Sequence, residues 1–242
     1  MKITYLLNSG FMIEDGETVF LFDDFDDPSM TADKVISEGN FKNLYILVSH
    51  AHFDHFGTRI RAYAPKVTRY IFSDDIRQTR RVKIFPAEQI TYLKKYKSWE
   101  DDNIKVSTFD STDVGVAFLL ETDSGKKIFH AGDFNWWHWE EESLVNRIVA
   151  EKTFFNKMKR LKGLKADIAF FPVDGRMGSS QEKGVTEFIK QTEVKTLVAM
   201  HRVGFDAWQP SRNFIAEAGK IPHWSPIYSG EFRNLKKNKF VK

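Results

Sequence analysis

Apolar positions along the chain fall into short β-like runs at first and into fewer, longer helical runs later. Residues 3–7, 11–14 and 18–22 are separated by Asn8-Ser9-Gly10 and Asp15-Gly16-Glu17, which predicts an antiparallel meander. Residues 29–38 predict a short helix stopped at Gly39. Leu44-Tyr45-Ile46-Leu47-Val48 is apolar without alternation, the pattern of a strand buried on both faces. Further strands are predicted at 69–72, 104–109, 114–121 and 127–130, with Asp123-Ser124-Gly125 turning between the last two. A long helix is predicted over 140–161, and buried strands at 167–171 and 196–200 flank a helix at 181–191. No linker, low-complexity tract or close repeat interrupts the 242 residues, so one compact domain is expected.

Composition narrows the class. Hydrophobic residues make up 42% and charged residues 29% of the chain, which excludes a disordered polypeptide. The 22 phenylalanines predict a core with much aromatic packing. A net charge of +3 is too small to identify a nucleic-acid binder. With no cysteine, disulfides, thiolate metal sites and cysteine nucleophiles are excluded. The first eight residues turn polar too soon for a signal-peptide core, and no stretch approaches the ~18 apolar residues of a membrane span. A soluble cytoplasmic protein without membrane contact is therefore expected.

Three segments carry chemistry. His50-x-His52-x-Asp54-His55 places three imidazoles and a carboxylate within six residues. At a strand end His50 and His52 point the same way, because side chains alternate. Two nitrogens can then converge on a cation at roughly 2.0–2.1 Å. A turn near Asp54 would bring Asp54 and His55 beside a second cation roughly 3.5–4 Å away. In Lys127-Ile128-Phe129-His130-Ala131-Gly132-Asp133 a β-run ends in a small-residue turn that delivers a carboxylate. In Thr196-Leu197-Val198-Ala199-Met200-His201 a buried run ends in a histidine. Each apolar strand thus ends in a candidate ligand, and the carboxyl ends of central strands are where α/β folds place their chemistry.

Together these residues resemble the metallo-β-lactamase superfamily. Its signature is similar to positions 50–55, Gly132-Asp133 and the strand-terminal His201. Ser9-Gly10-Phe11-Met12-Ile13, Leu21-Phe22-Asp23 and Phe171-Pro172-Val173-Asp174-Gly175 resemble the branch of ascorbate-6-phosphate lactonase-like proteins. The resemblance implies an α/β (α+β) fold, a four-layer αββα sandwich with metals at one edge between two sheets. It implies that His50 and His52 serve a first metal, that Asp54, His55 and His201 serve a second, and that Asp133 bridges them. Where the iron-based redox branch usually has Glu, this chain has His52. That favours a hydrolytic centre of one or two zinc ions, with manganese or iron also accepted by its carboxylates.

The family usually supplies a further histidine from the strand before the Gly-Asp turn. The matching stretch, residues 107–113, has none. Asp110, Asp113 or His138 would then substitute, with His130 the only histidine between His55 and Asp133.

The expected reaction is hydrolysis of a small ester-like substrate, such as a lactone or phosphoester, by a metal-activated hydroxide that Asp54 orients and deprotonates. Trp136, Trp137 and His138, followed by Trp139, would wall the substrate, with Trp208 on another rim. Arg176 and Arg202 would grip an anionic group. Two alternatives remain. Basic runs at Arg80-Arg81-Val82-Lys83, Lys94-Lys95-Tyr96-Lys97 and Lys236-Lys237-Asn238-Lys239 would suit a nucleic-acid-processing hydrolase of the same superfamily. The missing histidine would suit a non-catalytic metal-binding protein.

Overall fold

The first apolar runs pair as their pattern predicts. In the computed structural model, which describes residues 1–241, β1 (Lys2–Leu7), β2 (Gly10–Asp15) and β3 (Thr18–Phe22) form an antiparallel meander. They open an eight-stranded sheet. β4 (Asn43–Val48), β5 (Arg69–Ser73) and β6 (Ile90–Leu93) continue it in parallel, and a C-terminal hairpin of Phe232–Lys236 and Lys239–Val241 lies on the outer side of β1. This sheet belongs to one compact unit, Met1–Lys94 with the segment that starts at Pro226.

The apolar run of β4 is buried between two parallel neighbours, as its lack of alternation requires. One hydrophobic cluster joins Leu21, Ile46 and Phe72 of the sheet to Ala32 and Ile36 of α1 (Thr31–Glu38) and to Ile60 of a short 3-10 helix, Thr58–Lys66. Phe72 sits among the rings of Phe56 and Phe85 at 5.4 and 5.6 Å. Arg59 ties this layer together by pairing with Asp24 after β3 at 2.5 Å and with Asp33 of α1.

The second compact unit, Lys95–Ser225, holds a seven-stranded sheet. β7 (Ser98–Glu100), β8 (Ile104–Asp110), β9 (Val116–Thr122) and β10 (Lys127–His130) run antiparallel. β12 (Ile168–Pro172), β14 (Leu197–Met200) and β15 (His223–Trp224) then extend β10 in parallel, while β11 (Lys165–Ala166) and β13 (Glu193–Val194) form a small separate pair. Phe188 of α3 (Lys183–Gln191) stacks on Phe171 at 4.7 Å and Phe129 at 5.2 Å, so α3 covers β10 and β12. Phe154 of α2 (Leu144–Met158) stacks on Phe134 at 5.1 Å. α4 (Arg212–Ala218) follows β14.

Two sheets with accompanying helices match the fold class expected from the sequence. The helix expected over 140–161 is shorter, because Ser143 caps it: its hydroxyl accepts from the Asn146 N–H at 3.2 Å. The elements that the pattern did not predict, including β6, β7, β15, α4 and the C-terminal hairpin, are short and mixed in character. Among the described residues, no helix is long and apolar enough to cross a membrane.

The unit built on β1–β6 has little tolerance at Gly57. A Cβ there would lie 2.3 Å from the Phe25 carbonyl oxygen and 2.5 Å from its Cα, both backbone atoms. Gly57→Ala is expected to destabilise the protein by about 1–3 kcal/mol in urea unfolding. Phe72→Ala, which empties the aromatic cluster, is expected to remove about 3–5 kcal/mol. A midpoint unchanged in either variant would contradict this packing.

Candidate metal centre

In the first unit the carboxyl ends of three adjacent strands deliver polar residues side by side. β3 leads into Asp23, β4 leads into Ser49 to His55, and β5 leads into Asp75. Asp23 is fully buried and acts as a hub. Its Oδ1 accepts the Ser49 N–H at 2.7 Å; its Oδ2 accepts the Ser49 hydroxyl at 2.6 Å and lies 2.7 Å from His55 Nδ1. Ser49 Oγ in turn lies 3.0 Å from His50 Nδ1. Both buried imidazoles therefore have Nδ1 engaged on this network. In the neutral ring with Nδ1–H donated, the lone pair sits on Nε2.

Those Nε2 atoms meet further candidate ligands. His50 Nε2 is 3.0 Å from His52 Nδ1, and His55 Nε2 is 3.9 Å from Asp54 Oδ2. Asn8 donates to that same Asp54 oxygen at 3.1 Å. Asn8 and Asp23 both adopt left-handed backbone, with φ of 55° and 43°. Strained conformations of this kind gather at functional sites.

The loop itself is clamped by side chains that sequence reasoning missed. The Ala51 N–H donates to Asp75 Oδ2 at 2.8 Å. Arg81 donates to the carbonyls of Ala51 and of Phe56, the latter at 2.6 Å, with its guanidinium 5.0 Å over the Phe56 ring. Arg81 from the basic run thus serves the ligand loop.

The second unit repeats the device. β10, β12 and β14 are parallel neighbours, and they lead into Asp133, Asp174 and His201. His201 Nδ1 lies 2.9 Å from Asp174 Oδ2, and its Nε2 is 3.6 Å from Asp133 Oδ1. Burial raises the Asp174 pKa, but hydrogen bonds from His201 and Arg176 outweigh it and bring the carboxyl down to about 2. Gly132 and His201 take positive φ, 53° and 62°. At Gly132 that conformation makes the tight turn which presents Asp133.

Asp113, in the loop after β8, places a carboxylate oxygen within 4.8 Å of one from Asp133. Trp137, Trp139 and Arg176 complete a cavity of about 290 Å³ around Asp113, Asp133 and His201. The Trp137 indole is fixed by donating to the Asp133 carbonyl at 3.0 Å. Arg176 lies 5.5 Å over the Trp139 ring and 3.5 Å from His201.

Six other candidates lie elsewhere in the second unit. Asp110 pairs with Lys95 at 3.1 Å and Lys157 at 3.4 Å. His130 is buried against Phe170, and its Nδ1 accepts the Gly132 N–H at 3.2 Å. Trp136 packs on Phe154 and Phe155 of α2, with His138 beside it. Burial, with Lys183 and Arg147, lowers the His138 pKa. Arg202 binds the Val173 and Asp206 carbonyls and Gln181. Trp208 is buried and donates to Glu182 at 2.7 Å. Asp23 and Asp174 stood in the resembling motifs with no role attached, whereas Asn8, Asp75 and Arg81 gave no local signal.

Each unit thus holds imidazole and carboxylate donors, with second nitrogens already committed. That chemistry fits a divalent metal of the zinc, manganese or iron type.

Comparison with known proteins agrees. A family profile for the β-lactamase superfamily domain matches residues 42–202. A UPF0173 metal-dependent hydrolase from Thermus thermophilus is 24% identical over 216 residues, which cover 83% of this chain and 83% of that protein. Igni18, a metallo hydrolase from Ignicoccus hospitalis, has a similar fold, with a TM-score of 0.64, 18% identity and 96% of each chain covered. CmlA, a diiron β-hydroxylase from Streptomyces venezuelae, shares the fold at a TM-score of 0.60 and 12% identity, with 96% of this chain and 53% of that one covered. The chain belongs to the β-lactamase superfamily domain family and is a metal-dependent hydrolase of the metallo-β-lactamase superfamily.

Proposed function

We propose that this hydrolase cleaves a small, anionic ester-like substrate, such as a lactone or phosphoester, at a zinc centre. In the first unit the proposed ligands are His50, His52, Asp54 and His55; in the second they are Asp113, Asp133 and His201. Asp113 takes the place of the absent histidine, a choice supported by its nearness to Asp133. The observation that carries the reading is the paired device, Asp23 on His55 and Asp174 on His201, which fixes one imidazole in each unit. On the sequence resemblance of the segments before and after the ligands to lactonase-like proteins, we take an ester or lactone carbonyl as the target, and we place the protein in the cytoplasm.

When bound, the metal would supply a lowered water pKa and positive charge against the developing oxyanion. Asp54 is the proton acceptor in this reading. Asn8 holds its Oδ2, so the carboxylate keeps one orientation. Arg176, braced on Asp174 and over Trp139, grips the substrate's anionic group beside His201.

Asp54→Asn should keep the fold, seen as an unchanged circular dichroism spectrum, and lose about 10²–10⁴-fold in turnover. Full turnover in this variant would remove Asp54 from the mechanism. Elemental mass spectrometry after zinc reconstitution should find two ions per chain; none would overturn the metal assignment.

Asp174→Asn and Arg81→Ala act on orientation, so both should weaken zinc affinity, Asp174→Asn by about 10–100-fold. Zinc titration against a chromophoric chelator measures this, and wild-type affinity would contradict it.

The depressed Asp174 carboxyl also has a stability signature. Its stabilisation is complete above the unfolded value of 3.8 and is lost as pH falls toward about 2. Between those limits the wild type should lose unfolding free energy more steeply than Asp174→Asn.

A further inference from the structure

Trp137 and Trp139 stack nearly parallel, 5.7 Å apart with 6° between their planes. Both line the cavity that holds Asp133, Arg176 and His201, and both also line a second cavity of about 280 Å³ against α2. The pair is a shared wall between the two.

Several polar groups of the second cavity are committed to partners of their own. The Thr112 hydroxyl donates toward the carbonyls of Asp133 and Asn135 and accepts the Asn135 N–H at 2.8 Å. The Asn135 side chain serves the Trp136 N–H and Met177. Asn146 donates to Glu142 at 2.6 Å. The rest of the lining is the tryptophan pair, Val149 and Ala150, with Glu142, Arg147 and Thr153.

The apolar surface continues along α2. Leu144, Val145, Ile148 and Val149 are 65%, 69%, 40% and 56% exposed. They are spaced one, four and five residues apart, which puts them on neighbouring positions of a single helix face. A contiguous apolar patch of this kind marks a binding surface.

Resting on the hydrolase reading above, we propose that the second cavity is a tail subsite and that the substrate is an ester carrying a saturated hydrocarbon chain. The carbonyl lies on the Asp133 and His201 side of the tryptophan pair, and the chain crosses that pair to rest on Val149 and Ala150. Water adds to the carbonyl carbon and the bond to the ester oxygen breaks. The alcohol departs with one proton of the water, and the chain leaves as the carboxylic acid.

The test uses two readouts on the zinc-loaded protein. Hydrolysis of p-nitrophenyl acetate, butyrate, hexanoate and octanoate should show kcat/KM rising about two- to fourfold per methylene as the chain becomes buried. Calorimetric titration with butyrate, hexanoate, octanoate and decanoate should show affinity rising by a similar factor, with or without metal.

Val149→Asp, a change at an exposed helix position, should flatten both series, as should Trp139→Ala. Metal content should stay at the wild-type level in Val149→Asp. A flat fatty-acid series in the wild type, or a slope kept in Val149→Asp, overturns the tail subsite. Absence of bound metal with the fatty-acid slope intact overturns the hydrolase reading and keeps the subsite.

Discussion

A histidine presents a defined lone pair to a cation only when its other nitrogen is held, and in this protein buried carboxylates do the holding. Asp23 is engaged with His55 and, through Ser49, with His50; Asp174 is engaged with His201. The carboxylates that follow β3 and β12 answer that requirement. A buried carboxylate is unfavourable unless its oxygens are satisfied. The Ser49 N–H and hydroxyl satisfy Asp23, while Arg176 and its own backbone N–H satisfy Asp174.

Both units meet the requirement with the same construction. An antiparallel stretch of sheet gives way to parallel strands whose carboxyl ends lie in a row. A carboxylate on one strand end then stands next to a histidine on the next. In the first unit Asp23 follows β3 and the histidine loop follows β4. In the second Asp174 follows β12 and His201 follows β14. Parallel pairing is what makes this possible, since antiparallel neighbours would send successive carboxyl ends to opposite edges.

The fold itself does not choose the chemistry. CmlA is a diiron β-hydroxylase, whereas the Thermus thermophilus relative is named as a metal-dependent hydrolase. In this chain His52 lies near His50, Asp113 lies near Asp133, and a tryptophan pair lines two cavities.

The sequence by itself determined the β-meander, the buried run of β4 and the family, because these depend on local periodicity and on ligands packed into six consecutive residues. It also carried the ligand candidates His50, His52, Asp54, His55, Asp133 and His201, each at the end of an apolar run or in the loop after it. Only the tertiary structure decided among the rest. Asp113 rather than Asp110 stands near Asp133, because Asp110 is drawn to Lys95 and Lys157. Trp137 and Trp139 face the cavity while Trp136 packs on α2, a difference of one or three residues that no local pattern records. The roles of Asn8, Asp75 and Arg81 depend on partners 46, 24 and 30 residues away. Such contacts are made by strand order and loop path, so the spacing of residues along one segment carries no trace of them.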